Sequence, residues 1–140
     1  MIIETLKKSD IVSYKKLIDE CFGGSNDLDD YQKFDPKANY QIVVAKDGDK
    51  IIGSVTFYKI DLFTFSFQPA LELFNVAVLK EYRRQKIAQK IFEFIIEYAK
   101  LNNYKSIYLT CLDTAFGAHK LYESFGFVRG NSFKFNLSLV

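Results

Sequence analysis

The sequence contains little of what marks several large classes of protein. Two cysteines and one histidine among 140 residues provide no disulfide framework and suit a reducing compartment, so we expect a cytoplasmic protein. No apolar run approaches the roughly 18–20 residues of a membrane-spanning helix, and the early acid Glu4 is not typical of a signal peptide. The formal net charge of +2 is too small to indicate nucleic-acid binding by itself. We therefore predict no membrane or nucleic-acid partner.

The same scarcity limits the nucleophiles that the chain offers. Cys21 and Cys111 are interpreted as small buried hydrophobic residues, because the single histidine, His119, gives little opportunity for a Cys–His pair. His119 itself is interpreted as a surface residue of a helix without a catalytic role.

What the sequence does contain is typical of one globular domain. Apolar residues make up 49% of the chain, enough to bury a sizeable core. We find no repeat, low-complexity tract or Pro/Gly/Ser-rich linker at which a boundary would fall. The prediction is a single domain over residues 1–140.

Hydrophobic periodicity indicates how the first half is organised. Residues 2–6 predict a strand, and Ser9 is a candidate N-cap for a helix that glycines at 23 and 24 end. Residues 26–34 predict a short second helix. Strands at 41–46 and 50–58 flank Asp47-Gly48-Asp49, a strong hairpin signal. Residues 59–68 alternate, so an extended segment would place Phe63, Phe65 and Phe67 on one face, where they would line a pocket, a dimer seam or the core.

The second half changes period. Residues 71–79 are nearly all apolar and predict a central strand. Residues 84–101 follow a helical period, 105–111 predict a strand, 114–125 a helix ended by Gly126, and 127 onward alternates as terminal strands. The fold class is α/β (α+β), with a mixed, largely antiparallel central sheet and helices on both faces.

Basic residues gather where the central strand passes into the long helix: Lys80, Arg83, Arg84, Lys86 and Lys90. A helix N-terminus attracts anions through its free N–H groups, and arginine can grip phosphate oxygens with two hydrogen bonds. The alternative is a solvated basic stripe.

This stretch resembles the acetyl-CoA motif of the GNAT superfamily of N-acetyltransferases, Arg/Gln-x-x-Gly-x-Gly/Ala. The corresponding residues are Arg83-Arg84-Gln85-Lys86-Ile87-Ala88. Arg83 and Ala88 match the motif, and Lys86 stands where the family has its middle glycine. A lysine with ordinary helical φ and ψ would still serve there, its side chain turned outward or onto phosphate. The resemblance implies that Arg83, Arg84, Gln85, Lys86, Ile87 and Ala88 hold the cofactor phosphates.

A second stretch, residues 113–127, resembles the later GNAT motif Asn-x-x-Ala-x-x-x-Tyr-x-x-x-Gly-Phe. Ala118, Tyr122, Gly126 and Phe127 match, and Ala115 replaces the frequent asparagine. The resemblance implies a cofactor contact at Ala118.

The family resemblance also implies the chemistry. Acetyl-CoA would be the cosubstrate, with no metal, and the acceptor would be a primary amine of a small molecule or peptide. The amine would attack directly through a tetrahedral intermediate. Tyr122 would be the general acid at the sulfur, and Glu72 or a water chain would be the base. The backbone of Val76, Ala77 and Val78 would pair with the pantetheine arm.

Other interpretations stay open at this stage. The same fold can serve as a non-catalytic CoA-binding or protein-interaction module, which the departures at Lys86 and Ala115 favour. A nucleic-acid contact at the basic cluster is the weakest alternative. The resemblance also implies an acceptor region at residues 22–34 and 62–68, and a homodimer is possible. Thr110, where ribosomal-protein acetyltransferases tend to carry glutamate, disfavours that subgroup.

Overall fold

The computed structural model describes residues 1–24, 26–66 and 68–140. Its backbone divides into two compact units, Met1–Thr110 and Cys111–Val140. That residues 1–140 form one domain stays a prediction.

A five-stranded sheet forms the centre of the first unit. Its strands are β1 (Ile2–Thr5), β2 (Tyr40–Asp47), β3 (Lys50–Leu62), β4 (Gln68–Val78) and β5 (Ser106–Leu109), and they lie side by side in chain order. The pairs β1–β2, β2–β3 and β3–β4 are antiparallel, whereas β4–β5 is parallel. The predicted largely antiparallel sheet is confirmed, as is the hairpin, whose turn places Gly48 at a φ of 62°.

Among the described residues of the first unit, three α-helices accompany this sheet: α1 (Ile11–Phe22), α2 (Leu28–Tyr31) and α3 (Ile87–Leu101). The phenol of Tyr14 on α1 lies beside the side chain of Thr56 on β3. The next residue, Phe57, packs its ring against Tyr98 of α3 with centroids 5.1 Å apart. Because consecutive strand residues point to opposite faces, α1 and α3 cover opposite sides of the sheet. This confirms the prediction of helices on both faces.

The core lies between the sheet and these two helices. The α1 residues predicted to share a buried face are all buried: Ile11, Tyr14, Leu17 and Ile18. On α3 the buried residues are Ile87, Ile91, Phe92, Ile95 and Ala99. Two further residues of the predicted α3 face, Ala88 and Ile96, are half-buried.

Gly53 on β3 allows α3 to approach the sheet closely. A Cβ on Gly53 would lie 2.9 Å from Cγ2 of Ile87 and 3.2 Å from the carbonyl oxygen of Ala77. Only a glycine accommodates both neighbours at these distances. The first residue of α3 is therefore seated directly on the sheet.

Two predicted helix starts are wrong. Ser9 is not the cap of α1, because residues Lys8–Asp10 form a 3₁₀ turn and Asp10 is the N-cap. The long helix begins at Ile87 instead of residue 84, because Arg84 and Lys86 adopt left-handed φ angles of 64° and 61°. Left-handed residues do not continue a right-handed helix.

The extended segment predicted over residues 59–68 is confirmed for residues 59–62, which belong to β3, but is wrong at residues 63–66. β3 ends at Leu62, a 3₁₀ turn follows at Phe63–Phe65, and Ser66 takes a left-handed φ of 63°. The chain must reverse here to return as antiparallel β4, so the alternation of rings is interrupted. Phe67 lies outside the described residues, and Phe63 is 72% exposed.

The second unit contains one helix, α4 (Phe116–Ser124), among its described residues. Gly126, at a φ of 92°, ends it as predicted, and the Phe127 N–H donates back to the Tyr122 carbonyl at 3.1 Å. The predicted strands after residue 127 are wrong, because that alternating segment has no strand partner in the described chain. Alternation predicts which residues share a face but not whether a partner strand pairs with them.

Both cysteines are free thiols. Cys21 is half-buried, and its burial raises the pKa of the thiol, which agrees with the non-nucleophilic interpretation. Cys111 is exposed, so its interpretation as a buried residue is wrong. No helix among the described residues has both the length and the apolar character needed to cross a membrane.

Candidate active site

A β-bulge interrupts β4 at the residues predicted to bind pantetheine. Phe74 pairs with Thr56 and Ala77 pairs with Ser54, so Asn75 and Val76 together face the single residue Val55. Asn75 takes a left-handed φ of 56°, a conformation that asparagine tolerates better than most residues. A bulge of this kind bends the strand and turns backbone groups away from the ladder.

The bulge coincides with the end of the β4–β5 ladder. Parallel pairs run from Ala70 with Ser106 to Leu73 with Leu109, and none is formed farther along β4 among the described residues. The edge of residues 74–78 that faces away from β3 therefore has no paired strand in the part of the chain that the structure describes. An extended, amide-bearing ligand can add to such an edge through main-chain hydrogen bonds.

The strand then leads into the first turn of α3. A 3₁₀ turn at Lys80–Tyr82 joins the two elements, and Lys86 is the N-cap without a side-chain capping hydrogen bond. The earliest N–H within α3 that bonds back along the helix is that of Lys90, which reaches the Lys86 carbonyl at 3.1 Å. The N–H groups of Ile87, Ala88 and Gln89 consequently have no partner within the helix. Their dipoles point out of the helix N-terminus and favour an anion.

Two side chains of the predicted phosphate-binding segment donate hydrogen bonds to backbone carbonyls. Nε of Arg83 donates to the Val78 carbonyl at 3.1 Å, and Nε2 of Gln85 donates to the Glu81 carbonyl at 3.2 Å. The thiol of Cys21 donates to the same Val78 carbonyl at 3.6 Å. Arg83 thus fixes the end of β4 to the turn that precedes α3, and Arg83, Arg84 and Lys86 are all exposed.

Lys86 does not have the ordinary helical backbone that the sequence interpretation required of it. Its φ of 61° and ψ of 26° lie in the left-handed region, where glycine is favoured and a Cβ costs about 1–2 kcal/mol. The backbone thus takes the conformation that a glycine would supply, although a lysine occupies the position. The turn therefore has the backbone shape of a glycine-containing turn, and Lys86 adds a positive charge to it.

Glu72 lies earlier on β4, two residues before Phe74, so both side chains point to the same face. An open hollow of about 440 Å³ lies over this face, lined by Asn39, Tyr58, Lys59, Ile60, Glu72, Phe74 and Asn75. Within the part of the chain that the structure describes, the half-buried Glu72 carboxylate forms neither a hydrogen bond nor an ion pair. It is therefore available to a ligand.

Acidic side chains near α2, unlike Glu72, form contacts with residues of their own segment. Asp27 caps α2 by accepting a hydrogen bond from the N–H of Asp29 at 2.8 Å, and Asp30 pairs with Lys33 at 3.0 Å. These contacts account for Asp27 and Asp30 without a ligand.

The second unit holds Ala118 and Tyr122, both on α4. Tyr122 is buried, and its ring lies 6.1 Å from that of Phe127 in an edge-to-face arrangement. Burial, followed by the charge of Cys111, raises the pKa of the Tyr122 phenol above its usual value of about 10. The phenol thus keeps its proton at neutral pH. Ala118 is half-buried.

His119 contacts its own unit. Its Nε2 lies 2.8 Å from the Leu112 carbonyl, and its ring meets Phe116 edge-on. Among the described residues, no three His, Cys, Asp or Glu side chains are grouped closely enough to hold a metal ion.

Cross-strand register reveals residues that sequence reasoning missed. Tyr40 pairs with Tyr58, Tyr58 with Glu72, and Glu72 with Tyr108, so one carboxylate and three phenols form a row across four strands. Periodicity along the chain cannot show this row, because it depends on which residues of different strands are neighbours.

Comparison with known proteins identifies the family. A family model described as "Acetyltransferase (GNAT) family" matches residues 11–127. An N-acetylaspartate synthetase from Danio rerio is 41% identical over 59 residues, which are 42% of this chain and 21% of that protein. Human N-acetyltransferase 8B is 31% identical over 91 residues, which are 64% of this chain and 40% of that protein. The matched segments thus span about a fifth and two fifths of the length of these relatives.

Solved structures share the fold. An aminoglycoside acetyltransferase from an uncultured soil metagenomic sample superposes with a TM-score of 0.85 at 21% identity, covering 99% of this chain and 96% of that one. An acetyltransferase from Trypanosoma brucei superposes with a TM-score of 0.83 at 18% identity, covering 99% of both chains. The two sequence motifs, the bulged strand and the family match agree, and the chain belongs to the acetyltransferase (GNAT) family.

Proposed function

We propose that this chain is an acetyl-CoA-dependent N-acetyltransferase that acts on a primary amine of a small molecule or peptide. One observation carries the proposal. Among the described residues, the bulged part of β4 has no strand paired to one edge, and it leads into a basic helix N-terminus without a side-chain cap. The edge suits the amides of the pantetheine arm, and the helix end suits a pyrophosphate.

The reaction requires proton transfers that side chains can supply. Bound acetyl-CoA supplies a thioester: its carbonyl carbon forms a bond to the amine nitrogen, and the carbon–sulfur bond breaks. An amine with a pKa near 10 is mostly cationic at neutral pH, so a base must first remove a proton. We assign that role to Glu72, directly or through water, because its carboxylate is unpaired on the face of the hollow.

The leaving thiolate requires a proton in return. We assign Tyr122 as its donor on the motif in which it stands. Its raised pKa supports the assignment, because the phenol holds its proton until it is needed. An N–H of residues 76–78 would polarise the thioester carbonyl, and Ala118 would contact the cofactor.

The direct test is to incubate the protein with acetyl-CoA and a panel of primary amines. Free CoA should be quantified by chromatography and the acetylated amine by mass spectrometry. A thiol reagent alone is unsuitable, because the exposed Cys111 would also react. Stoichiometric CoA and acetylamine support the proposal, and no product with any amine contradicts it.

A second candidate is a CoA-binding or protein-interaction module without catalysis. Lys86 and Ala115, which depart from the motifs, favour it. It predicts that CoA binds in calorimetry while no acetylated amine forms, which the same panel would reveal.

Location and partners are also part of the proposed function. We propose a cytoplasmic enzyme that requires no metal and acts without a nucleic-acid or membrane partner. A homodimer stays a prediction.

A further inference from the structure

The row of residues across the sheet combines one carboxylate with several aromatic rings. Tyr58 and Tyr108 are the direct neighbours of Glu72 on either side, and they are 41% and 48% exposed. Paired residues of adjacent strands point to the same face, so both phenol rings flank the carboxylate on the face that holds the hollow.

The aromatic surface continues beyond this row. The ring centroid of Tyr58 lies 5.3 Å from that of Phe74, in an edge-to-face arrangement, and 5.4 Å from that of Tyr40. Tyr40 in turn lies 6.1 Å from Phe34. Rings that hold one another in this way form a preorganised apolar wall.

The charges in the hollow are few. Of the described residues that line it, Glu72 is the one acid and Lys59 the one base, and the others are rings, amides and an isoleucine. A carboxylate with neighbouring ring faces attracts a single ammonium through charge and cation–π interaction. A substrate with several ammonium groups would find one carboxylate in this lining, and a dicarboxylate would meet the like charge of Glu72.

We propose that the acceptor is a monoamine whose primary ammonium is carried on an aromatic or similarly flat apolar group. This inference rests on the proposed function and names its substrate class. The ammonium contacts Glu72, and the apolar body packs on Tyr58 and Phe74, with Tyr108 closing the other side. The rings then determine specificity, and the carboxylate removes the proton from the ammonium.

The inference is tested by comparing amines that differ in one property at a time. The panel consists of 2-phenylethylamine, tyramine, n-butylamine, spermidine, an aminoglycoside and aspartate. We expect kcat/KM for the two arylalkylamines to exceed that for every other member by at least about tenfold, which corresponds to one ring-packing contact that only these two amines make. A preference for spermidine, the aminoglycoside or aspartate overturns the inference while leaving the N-acetyltransferase proposal intact.

Variants separate recognition from folding. Tyr58→Ala should raise KM for 2-phenylethylamine about tenfold and change KM for n-butylamine much less, because only the former loses a ring contact. The matched control is Tyr104→Ala, because Tyr104 stacks on Tyr98 of α3, on the opposite side of the sheet. Equal selectivity in the two variants overturns the inference.

Binding without turnover distinguishes this inference from the proposed function. Calorimetry of the protein alone should detect 2-phenylethylamine, and Glu72→Gln should weaken that binding at least about tenfold, since it removes the counter-charge. If no amine is acetylated yet this binding is seen and depends on Glu72, the catalytic proposal fails and the ligand class stands. If aspartate or spermidine binds as well as 2-phenylethylamine, the ligand class fails.

Discussion

At the scale of single residues, the backbone at the start of α3 is the feature most worth testing. Lys86 takes a left-handed conformation at the position where the family motif has glycine, and Arg84, two residues earlier, is also left-handed. The position of the motif could be read from the sequence, but its conformation could not, because lysine is normally expected in the right-handed region. The geometry follows instead from the need to turn the chain from β4 onto the sheet-bound helix.

Replacing Lys86 with glycine should stabilise the protein. Removing the Cβ relieves about 1–2 kcal/mol of left-handed strain, offset by about 0.5–1 kcal/mol from the greater freedom of glycine in the unfolded chain. We expect a net gain of about 0.5–1 kcal/mol in the free energy of unfolding, measured by urea denaturation. Lys86→Ala is the control: it loses the same charge but keeps the strain, and a gain equal to that of Lys86→Gly would refute the explanation.

Arg84 and Arg83 should differ in their effects on ligand binding and stability. Arg84→Ala should weaken CoA binding and spare pantetheine, because only CoA carries phosphates for the side chain to contact. Arg83→Ala should lower stability as well, because its Nε bonds the Val78 carbonyl. Calorimetry with both ligands, with thermal denaturation alongside, measures the two effects. Equal CoA affinity in Arg84→Ala and wild type would place the phosphates elsewhere.

Tyr122→Phe should lower kcat about 100-fold and leave the dissociation constant of acetyl-CoA unchanged, as expected for loss of a general acid. Because burial raises the pKa of Tyr122, its protonated form persists as pH rises. Any fall in wild-type kcat caused by its ionisation should therefore occur only above pH of about 10. Tyr104→Phe, on the other unit, is the control and should retain full kcat. Equal kcat in Tyr122→Phe and wild type would remove this residue from the mechanism.

At the scale of elements, the sequence predicts features that repeat within one segment. It does not predict features that depend on how two segments pair. Helical periodicity predicted the buried faces of α1 and α3, and Asp47-Gly48-Asp49 predicted the hairpin. The aromatic row with Glu72 and the β4 bulge arise from strand register, which no single segment encodes. The reversal at Phe63–Phe65 was missed for the same reason, since period-two spacing there persists without a strand.

Gly53→Ala tests the seating of α3 on the sheet. The added methyl would lie 2.9 Å from Ile87 and 3.2 Å from a backbone oxygen, so the first turn of α3 must move. We expect a loss of about 1–3 kcal/mol in unfolding free energy, as for overpacked cores, together with weaker CoA binding. Gly117→Ala is the control, because nothing lies within 4 Å of its added Cβ, and it should not destabilise the protein. Unchanged stability in Gly53→Ala would mean that α3 is not held against β3 as described.

At the scale of the whole molecule, a nearly neutral chain carries a locally basic anion site. The formal net charge is +2, yet the turn before α3 and its first residues hold Arg83, Arg84, Lys86 and Lys90. The small net charge therefore argues against general nucleic-acid binding. It does not argue against a local cofactor site. Order of elements and motif spacing were sufficient to predict the fold family. The acceptor was not predictable, because its determinants come from four different strands.

A thermal melt with and without acetyl-CoA tests the central claim, that the first turn of α3 holds the cofactor although lysine replaces glycine. A ligand bound by the native state alone at 100 times its dissociation constant adds about 2.7 kcal/mol to stability. For a chain of this size, the melting temperature should then rise by roughly 10 °C, and pantetheine at the same concentration should raise it much less. A melting curve unchanged by millimolar acetyl-CoA would contradict the account.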